Sequence, residues 1–227
     1  MRKVATGVLV GTLIGVGLAA AVASGVVERV TVTNAALRVG TPKRPAGVRL
    51  STTLSWQGGQ QATLPSITRI DLWFPQGSHY NWNKFPTCSV ATLDRSGPSG
   101  CPSSSIMGQG TAQAFADTTP TTPTITVVNG GPNVVWFYTV LNNPARVQEP
   151  VPGYITRVHG QFAYHLSTTI PENLRVVAGV PIKFVAVTVT AGRGDWLALS
   201  APPSGIKVQA RFDNGTVASN LLFVQNT

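Results

Sequence analysis

The stretch Thr124-Ile-Thr-Val-Val-Asn-Gly-Gly-Pro-Asn-Val-Val-Trp-Phe-Tyr-Thr-Val140 predicts a β-hairpin. Its two arms, 124–128 and 134–140, are rich in β-branched and aromatic residues, which favour extended strands. The segment between them, 129–133, contains Asn-Gly and Pro, which supply the backbone conformations of tight turns. The chain therefore contains at least one pair of antiparallel strands.

Similar short runs lie on both sides of this hairpin, separated by Gly, Pro, Asn and Ser, and no stretch after the leader keeps a helical period for three turns. The further predicted strands are 48–54, 67–74, 105–116, 154–167, 180–190, 206–212 and 218–224. Gly108 and Gly110 lie inside one of them and predict a bulge or a close backbone approach. Eight or nine strands without a helix predict an all-β fold. We expect an antiparallel β-sandwich of two packed sheets, immunoglobulin-like or jelly-roll-like.

The N-terminus has the composition of an export signal. Arg2 and Lys3 precede a run that contains no charged residue before Glu28. Ala21-Val-Ala23 places small residues where a signal peptidase cuts, so residues 1–23 are interpreted as a signal peptide. The alternative is a retained membrane anchor, because the hydrophobic run is long enough to cross a bilayer as a helix. Residues 24–46 are interpreted as a basic linker or arm, and 47–227 as a single β-sandwich domain.

The chain has two cysteines, Cys88 and Cys101. In an oxidising compartment such a pair predicts one disulfide, whose short loop would stabilise the fold by about 3 kcal/mol in the chain-entropy model. A zinc site needs four ligands, and no further His or Cys pair lies nearby at a suitable spacing. We therefore expect a structural disulfide loop in a protein that is extracellular or on the cell surface.

The net charge of +9 comes mostly from single, scattered basic residues. Such a protein would be attracted to anionic polymers or lipid head groups of the cell envelope. Only Arg38, Lys43, Arg44 and Arg49 cluster, in the predicted arm and directly after it, so nucleic acid is not expected as a partner. A membrane is expected as a partner only through the N-terminal segment, if that segment is uncleaved.

The cysteine segment resembles a group of exported all-β proteins of unknown function from actinobacteria. The resemblance rests on Phe85-Pro-Thr-Cys88, Gly97-Pro-Ser-Gly-Cys-Pro102 and the glycines of Gly108-Gln-Gly110, and it covers roughly residues 72–114. A second cysteine pair near the last hairpin, frequent in that group, is absent here. The resemblance implies an exported all-β domain and implies no activity, because fold analogy does not carry function.

The residues that carry chemistry form no recognisable constellation. The eight carboxylates include no strand motif of facing pairs for glycoside hydrolysis, and there is no Gly-x-Ser-x-Gly elbow. Asp71 shares a strand face with Arg69 and Trp73, which favours an ion pair or a solvated position. His159 and His165 fall on one predicted strand, too far apart to ligate a metal jointly. We therefore expect no enzyme activity, no cofactor and no metal.

Aromatic residues crowd the approach to the first cysteine. Tyr80, Trp82 and Trp73 are the candidate ligand-stacking residues, because an indole or phenol combines an apolar face with a polar tip that suits sugar rings. The competing interpretation is that these side chains are buried in the core or cover the disulfide. Three functions follow in order of preference. The first is a non-enzymatic, exported, envelope-associated domain; the second is a carbohydrate- or lipid-binding module; the third is an extracellular hydrolase without a recognisable motif.

Overall fold

The computed structural model describes residues 27–34, 39–57, 65–201 and 205–222, and it confirms an all-β fold with antiparallel sheets. The predicted N-terminal hydrophobic helix, residues 1–23, lies outside the described residues. None of the helices within the described ranges is long and apolar enough to cross a membrane.

The described residues form sixteen strands and two short helices. The strands are β1 (Val27–Asn34), β2 (Ala46–Gly47), β3 (Leu50–Gln57), β4 (Ile67–Pro75), β5 (Ser78–Tyr80), β6 (Ile106–Ala116), β7 (Thr119–Thr121), β8 (Thr124–Asn129), β9 (Val134–Leu141), β10 (Val147–Arg157), β11 (Phe162–Thr169), β12 (Val176–Val177), β13 (Val180–Ala191), β14 (Leu197–Leu199), β15 (Ile206–Phe212) and β16 (Val217–Leu222). The helices are α1 (Val90–Ser96) and α2 (Glu172–Arg175), and short 3-10 turns cover Trp82–Lys84, Gly97–Gly100 and Ser103–Ser105.

The large sheet is one continuous, curled half-barrel, which differs from the two packed sheets of the expected sandwich. Its strand order is β1-β3-β13-β6-β8-β9-β10-β11-β4-β15-β16, with β7 and β12 paired at its margin. Strand twist and β-bulges both curve a sheet, and the register shifts in four of its strand pairs. Because the sheet curls, opposite stretches of the same sheet face one another across the interior.

Gly108 and Gly110 lie where two strands approach closely, as their positions inside a strand predicted. A Cβ atom added at Gly108 would lie 2.0 Å from the carbonyl oxygen of Thr190, and one at Gly110 would lie 2.3 Å from that of Thr188. The register between β6 and β8 also shifts between Ile106 and Gly108. Because Gly108 and Gly110 have no side chains, β6 can approach β13 closely at these positions.

Alternation along the strands separates an apolar interior from a polar exterior. On β3, Leu50 and Leu54 face the interior, whereas Ser51 and Thr53 face outwards and meet Thr190 and Thr188 of β13 at 2.9 and 3.0 Å. The 124–140 hairpin is confirmed as β8 and β9. Strand β9 is apolar on both faces, which is typical of a strand covered on both sides.

The segment 154–167, predicted to be one strand, is instead parts of two strands that form a hairpin. Strand β10 ends at Arg157, β11 begins at Phe162, and the two pair antiparallel. Gly160, in the turn, has a φ of +90°, a backbone conformation that residues other than glycine rarely adopt. His159 lies outside both strands, so the prediction that His159 and His165 share one strand was wrong.

The expectation of no helix was also wrong. Helix α1 lies inside the disulfide loop, where the hydroxyl of Ser89 caps it by accepting from the backbone N–H of Thr92. Leu93 on this helix is fully buried. A seven-residue helix is too short to show three turns of hydrophobic period. Within the predicted arm, Val27–Asn34 pairs with β3 along its whole length.

A small sheet, β2-β14-β5, covers one end of the half-barrel. Each of its strands has only two or three residues, too few to show a strand period. The small sheet brings together three distant parts of the chain, and β5 pairs with β14 from Ser78 to Tyr80.

Candidate ligand cavity

The half-barrel lines a partly open cavity of about 190 Å³. Its wall consists of inward-facing side chains at alternate positions, such as Val135, Phe137 and Thr139 of β9 and Val187, Val189 and Ala191 of β13. The wall is almost entirely hydrophobic, and none of the described residues that line it is an aspartate, glutamate, lysine or arginine. Apolar cavities of this order of size, about 150 Å³, stay dry and accept small hydrocarbons. This cavity therefore suits a hydrocarbon group.

Two clusters of buried residues border the cavity. One includes Ile67, Phe184 and Ile206, and the other includes Trp196, with the half-buried Tyr80 and Leu197 packed against it. The second cluster includes residues of the small sheet, so that sheet forms one end of the cavity wall. The cavity wall thus includes residues of both clusters, and part of it is built from β5 and β14.

Most of the cavity's hydroxyl groups already have partners. Thr139 donates to the carbonyl oxygen of Phe137 at 3.2 Å, and Thr168 donates to that of Pro152 at 3.0 Å. The phenol of Tyr80 donates to the carbonyl oxygen of Gly131 at 2.7 Å, and burial raises its pKa. These groups turn their hydrogen atoms towards the main chain and leave the cavity apolar.

His79 is the exception on the cavity wall. Its Nε2 atom is buried and has no hydrogen-bond partner. Among the described residues only one other buried side-chain nitrogen or oxygen, Trp136 Nε1, shares this condition. Native proteins pair the large majority of such atoms, so an unpaired one in a cavity wall is a candidate ligand contact.

Sequence reasoning did not identify the residue that holds this end of the cavity together. Asn129, at the end of β8, is fully buried, and its Nδ2 lies 3.0 to 3.2 Å from the carbonyl oxygens of Trp82, Phe85 and Pro86. Its Oδ1 accepts from Trp196 Nε1 at 3.3 Å. Asn129 therefore joins the segment before the disulfide to the cavity wall. It had been interpreted only as a turn residue because Gly130 follows it.

Further polar contacts fix the same segment to the loop after β13. Asn81 Nδ2 donates to the carbonyl oxygen of Asp195 at 2.6 Å, and the Asn81 N–H donates to that of Trp196 at 2.9 Å. Lys84 forms an exposed ion pair with the Asp195 carboxylate. Strand β5 and the following turn are consequently held against the small sheet, which positions His79 and Tyr80.

The structure separates the three candidate stacking residues. Tyr80 lines the cavity, its ring edge-on to Trp196 with 5.4 Å between centroids. Trp82 is half-buried and lines a second pocket, of about 230 Å³, that shares Tyr80 with the cavity. Trp73 lies on the outer face of β4, stacked on His165 at 4.6 Å with Lys207 Nζ 4.7 Å from its ring centre. Tyr80 and Trp82 are thus neighbours, whereas Trp73 belongs to a different surface.

Beside Trp73, Asp71 forms the predicted ion pair with Arg69, at 2.9 Å. The carboxylate is almost fully buried and also lies 2.8 Å from His165 Nε2. Burial would raise the pKa of Asp71, but hydrogen bonds from Arg69, His165 and Ser167 outweigh burial and hold this pKa below its usual value of 3.8. All of these groups lie outside the cavity. Among the described carboxylates and histidines, only His79 lines the cavity.

The predicted Cys88–Cys101 disulfide is present, with 5.5 Å between the Cα atoms. Cys88 and Leu93 pack with Val128 and Tyr138 on the outer face of β8 and β9, away from the cavity. This packing explains why β9 is apolar on both faces. The disulfide loop covers the outer face of β9.

Comparison with known proteins adds no relative: no protein-family model, no curated protein and no solved structure matches this chain.

Proposed function

We propose that this chain is an exported, non-enzymatic binding protein that holds the hydrocarbon part of a lipid inside its half-barrel. The observation that carries this proposal is the apolar cavity, whose wall contains no aspartate, glutamate, lysine or arginine within the part of the chain that the structure describes. Burial of apolar surface is the main favourable term in taking up such a ligand. Among the functions considered from the sequence, the lipid-binding alternative therefore has the strongest support.

The size and lining of the cavity favour a chain-like group over a sugar ring. Pockets for drug-sized ligands are typically about 300–1,000 Å³, and this cavity of about 190 Å³ is smaller. A sugar needs several hydrogen-bond partners, but the hydroxyls of Tyr80, Thr139 and Thr168 already donate to main-chain carbonyls. An alkyl segment needs no such partners.

Export to an oxidising compartment and association with the cell envelope belong to the same proposal. The disulfide is compatible with such a compartment, and the leader-like segment 1–23 supports export. The net charge of +9 would attract the protein to anionic envelope polymers. A lipid-binding protein in that place would meet its ligands at the membrane surface or in the cell wall.

The test fills the cavity by mutation and measures hydrocarbon binding. Hexane is titrated into the protein, and binding is followed by NMR of the Ile, Leu and Val methyl groups. The wild type is expected to show saturable shifts of cavity methyls such as Val127 and Leu166. Ala112→Leu places extra carbon atoms in the cavity and is expected to weaken binding by at least about tenfold, since each lost contact removes buried apolar area.

Two further variants keep the result interpretable. Ala191→Leu fills a different part of the wall, so it replaces Ala112→Leu if that variant misfolds. Ala91→Leu makes the same change at an exposed position of α1 and is expected to leave hexane binding unchanged. Absence of saturable methyl shifts in the folded wild type would refute the proposal.

A further inference from the structure

We propose that His79 holds the polar head of a neutral amphiphile whose hydrocarbon tail fills the cavity. The ligand class is a compound with one uncharged hydrogen-bonding group, such as a hydroxyl, at one end of an alkyl chain. This inference rests on the proposed lipid-binding function and specifies which lipid chemistry the site accepts. It names a binding residue, and it assigns no reaction.

The first step of the argument is the state of the His79 imidazole. His79 lines the cavity, and its buried Nε2 atom has no hydrogen-bond partner among the described residues. A buried polar atom that remains unpaired costs free energy, so a ligand that supplies the missing hydrogen bond gains affinity. A neutral imidazole nitrogen either donates or accepts, depending on the tautomer, and a hydroxyl group satisfies both cases.

The second step is the contrast with the other polar groups of the wall. The hydroxyls of Tyr80, Thr139 and Thr168 donate to main-chain carbonyls, and they do so without a ligand. The other buried unpartnered atom within the described part of the chain, Trp136 Nε1, does not line the cavity; Trp136 packs with the disulfide cluster on the outer face. Among the described residues of the cavity wall, His79 is therefore the one with a buried polar atom whose missing hydrogen bond a ligand would supply.

The third step concerns charge. No aspartate, glutamate, lysine or arginine of the described ranges lines the cavity. A carboxylate or phosphate head placed inside would lose its hydration without gaining a permanent countercharge, which is unfavourable in an apolar site. An uncharged head avoids this loss, so the wall selects a neutral amphiphile over an anionic lipid head group.

The fourth step is the orientation of the ligand. His79 lies on β5, in the small sheet at one end of the cavity. The other bordering cluster includes Ile67, Phe184 and Ile206, and the wall hydroxyls beside it, those of Thr139 and Thr168, already donate to main-chain carbonyls. The head group therefore lies at the small-sheet end, and the alkyl tail extends towards Ile67 and Ile206.

The experiment compares three six-carbon probes in two proteins. Hexane, 1-hexanol and hexanoate are titrated into the wild type and into His79→Leu, with dissociation constants from methyl NMR. We expect His79→Leu to bind 1-hexanol about 3- to 10-fold more weakly, the effect of one lost hydrogen bond. Hexane binding is expected to stay within about twofold, because hexane makes no hydrogen bond in either protein.

A matched control removes a different polar group from the same wall. Thr168→Val deletes a hydroxyl that already donates to the Pro152 carbonyl oxygen. This variant is expected to change hexane and 1-hexanol affinities equally. His79→Gln keeps a hydrogen-bonding group at the position and is expected to recover part of the preference for 1-hexanol, which also provides a second variant should His79→Leu fail to fold.

The outcomes separate this inference from the proposed function. Hexane binding together with equal loss of hexane and 1-hexanol in His79→Leu would overturn the role of His79 and leave the lipid-binding proposal standing. Tighter binding of hexanoate than of 1-hexanol by the wild type would overturn the neutral head group. Binding of none of the probes by folded wild type would overturn the proposed function itself.

Discussion

Asp71 on the half-barrel and His79 on the small sheet both have buried polar atoms, but the hydrogen-bonding states of these atoms are opposite. Asp71 on the outer face lies within hydrogen-bonding distance of Arg69 and His165. His79 on the inner face has an unpaired Nε2. A fully paired buried group stabilises a fold, whereas an unpaired one is a place where a ligand gains affinity. We therefore assign a structural role to Asp71, whereas His79 is the residue proposed to bind the ligand.

Replacing Asp71 should test that structural role. Asp71→Asn leaves Arg69 without its countercharge, and we expect the free energy of unfolding to fall by about 2 kcal/mol, a value reduced because Arg69 is partly exposed. Urea unfolding at pH 7 measures the change. Asp195→Asn is the matched control, because its ion pair with Lys84 is exposed, and it should cost less than about 0.5 kcal/mol. Equal effects of the two substitutions would contradict this assignment.

The same carboxylate predicts a pH dependence. The pKa of Asp71 is lower in the folded protein than its usual value of 3.8, so folding favours the ionised form. Its contribution to stability is present above that usual value and is lost as pH falls through the lower folded pKa. We expect the stability difference between wild type and Asp71→Asn to shrink between about pH 4 and pH 2. Urea unfolding across this range is the measurement, and a constant difference would exclude the linkage.

At the scale of the elements, the bounds of long strands could be predicted from the sequence. The bounds of short strands, and the turn inside the β10–β11 hairpin, could not. Strand β15 has the predicted bounds, 206–212, and β4 differs from its prediction by one residue. The β10–β11 hairpin was taken as one strand, because Gly160 alone carries the turn signal between its two arms. The strands of the small sheet and helix α1 are too short to show a period.

The disulfide loop and α1 form one element that should weaken as a unit. Cys88→Ala/Cys101→Ala removes a cross-link between residues 13 apart, and we expect a loss of about 3 kcal/mol in the free energy of unfolding. Amide hydrogen exchange of α1 should accelerate more than that of β13, because α1 depends on this closure for its packing on β8 and β9. Ser99→Ala changes an exposed residue of the same loop and should have an effect below about 0.5 kcal/mol. Unchanged exchange of α1 in the double variant would contradict this interpretation.

At the scale of the whole molecule, the curl of the sheet creates the cavity, and the curl depends on register shifts that composition does not reveal. The apolar inner positions of β3 and β13 are visible in the sequence as alternation, whereas β9 is apolar on both faces. The alternation of apolar and polar residues is the same in a strand of a two-sheet sandwich and in a strand of one curled sheet. The unpaired state of His79 was equally hidden, because it depends on contacts made across the molecule.

An internal void also predicts the response to pressure, since unfolding eliminates it and lowers the volume of the system. Ala112→Leu fills part of the cavity, so its volume change on unfolding should be smaller in magnitude than that of the wild type. High-pressure unfolding followed by tryptophan fluorescence measures both values. Saturation with 1-hexanol should reduce the wild-type value in the same direction, and Ala91→Leu should not. A wild-type value equal to that of Ala112→Leu would show that the void does not contribute.

The covered outer face of β8 and β9 has a consequence for solubility. Before the Cys88–Cys101 bond closes, the helix that carries Leu93 is not tied over Val128 and Tyr138, and Trp136 and Val140 lie beside them. These side chains then form an exposed apolar strip on a strand pair, the kind of surface on which unfinished chains aggregate. Formation of the disulfide thus covers this apolar strip. Protein made under reducing conditions should therefore aggregate while its β-strands are still formed.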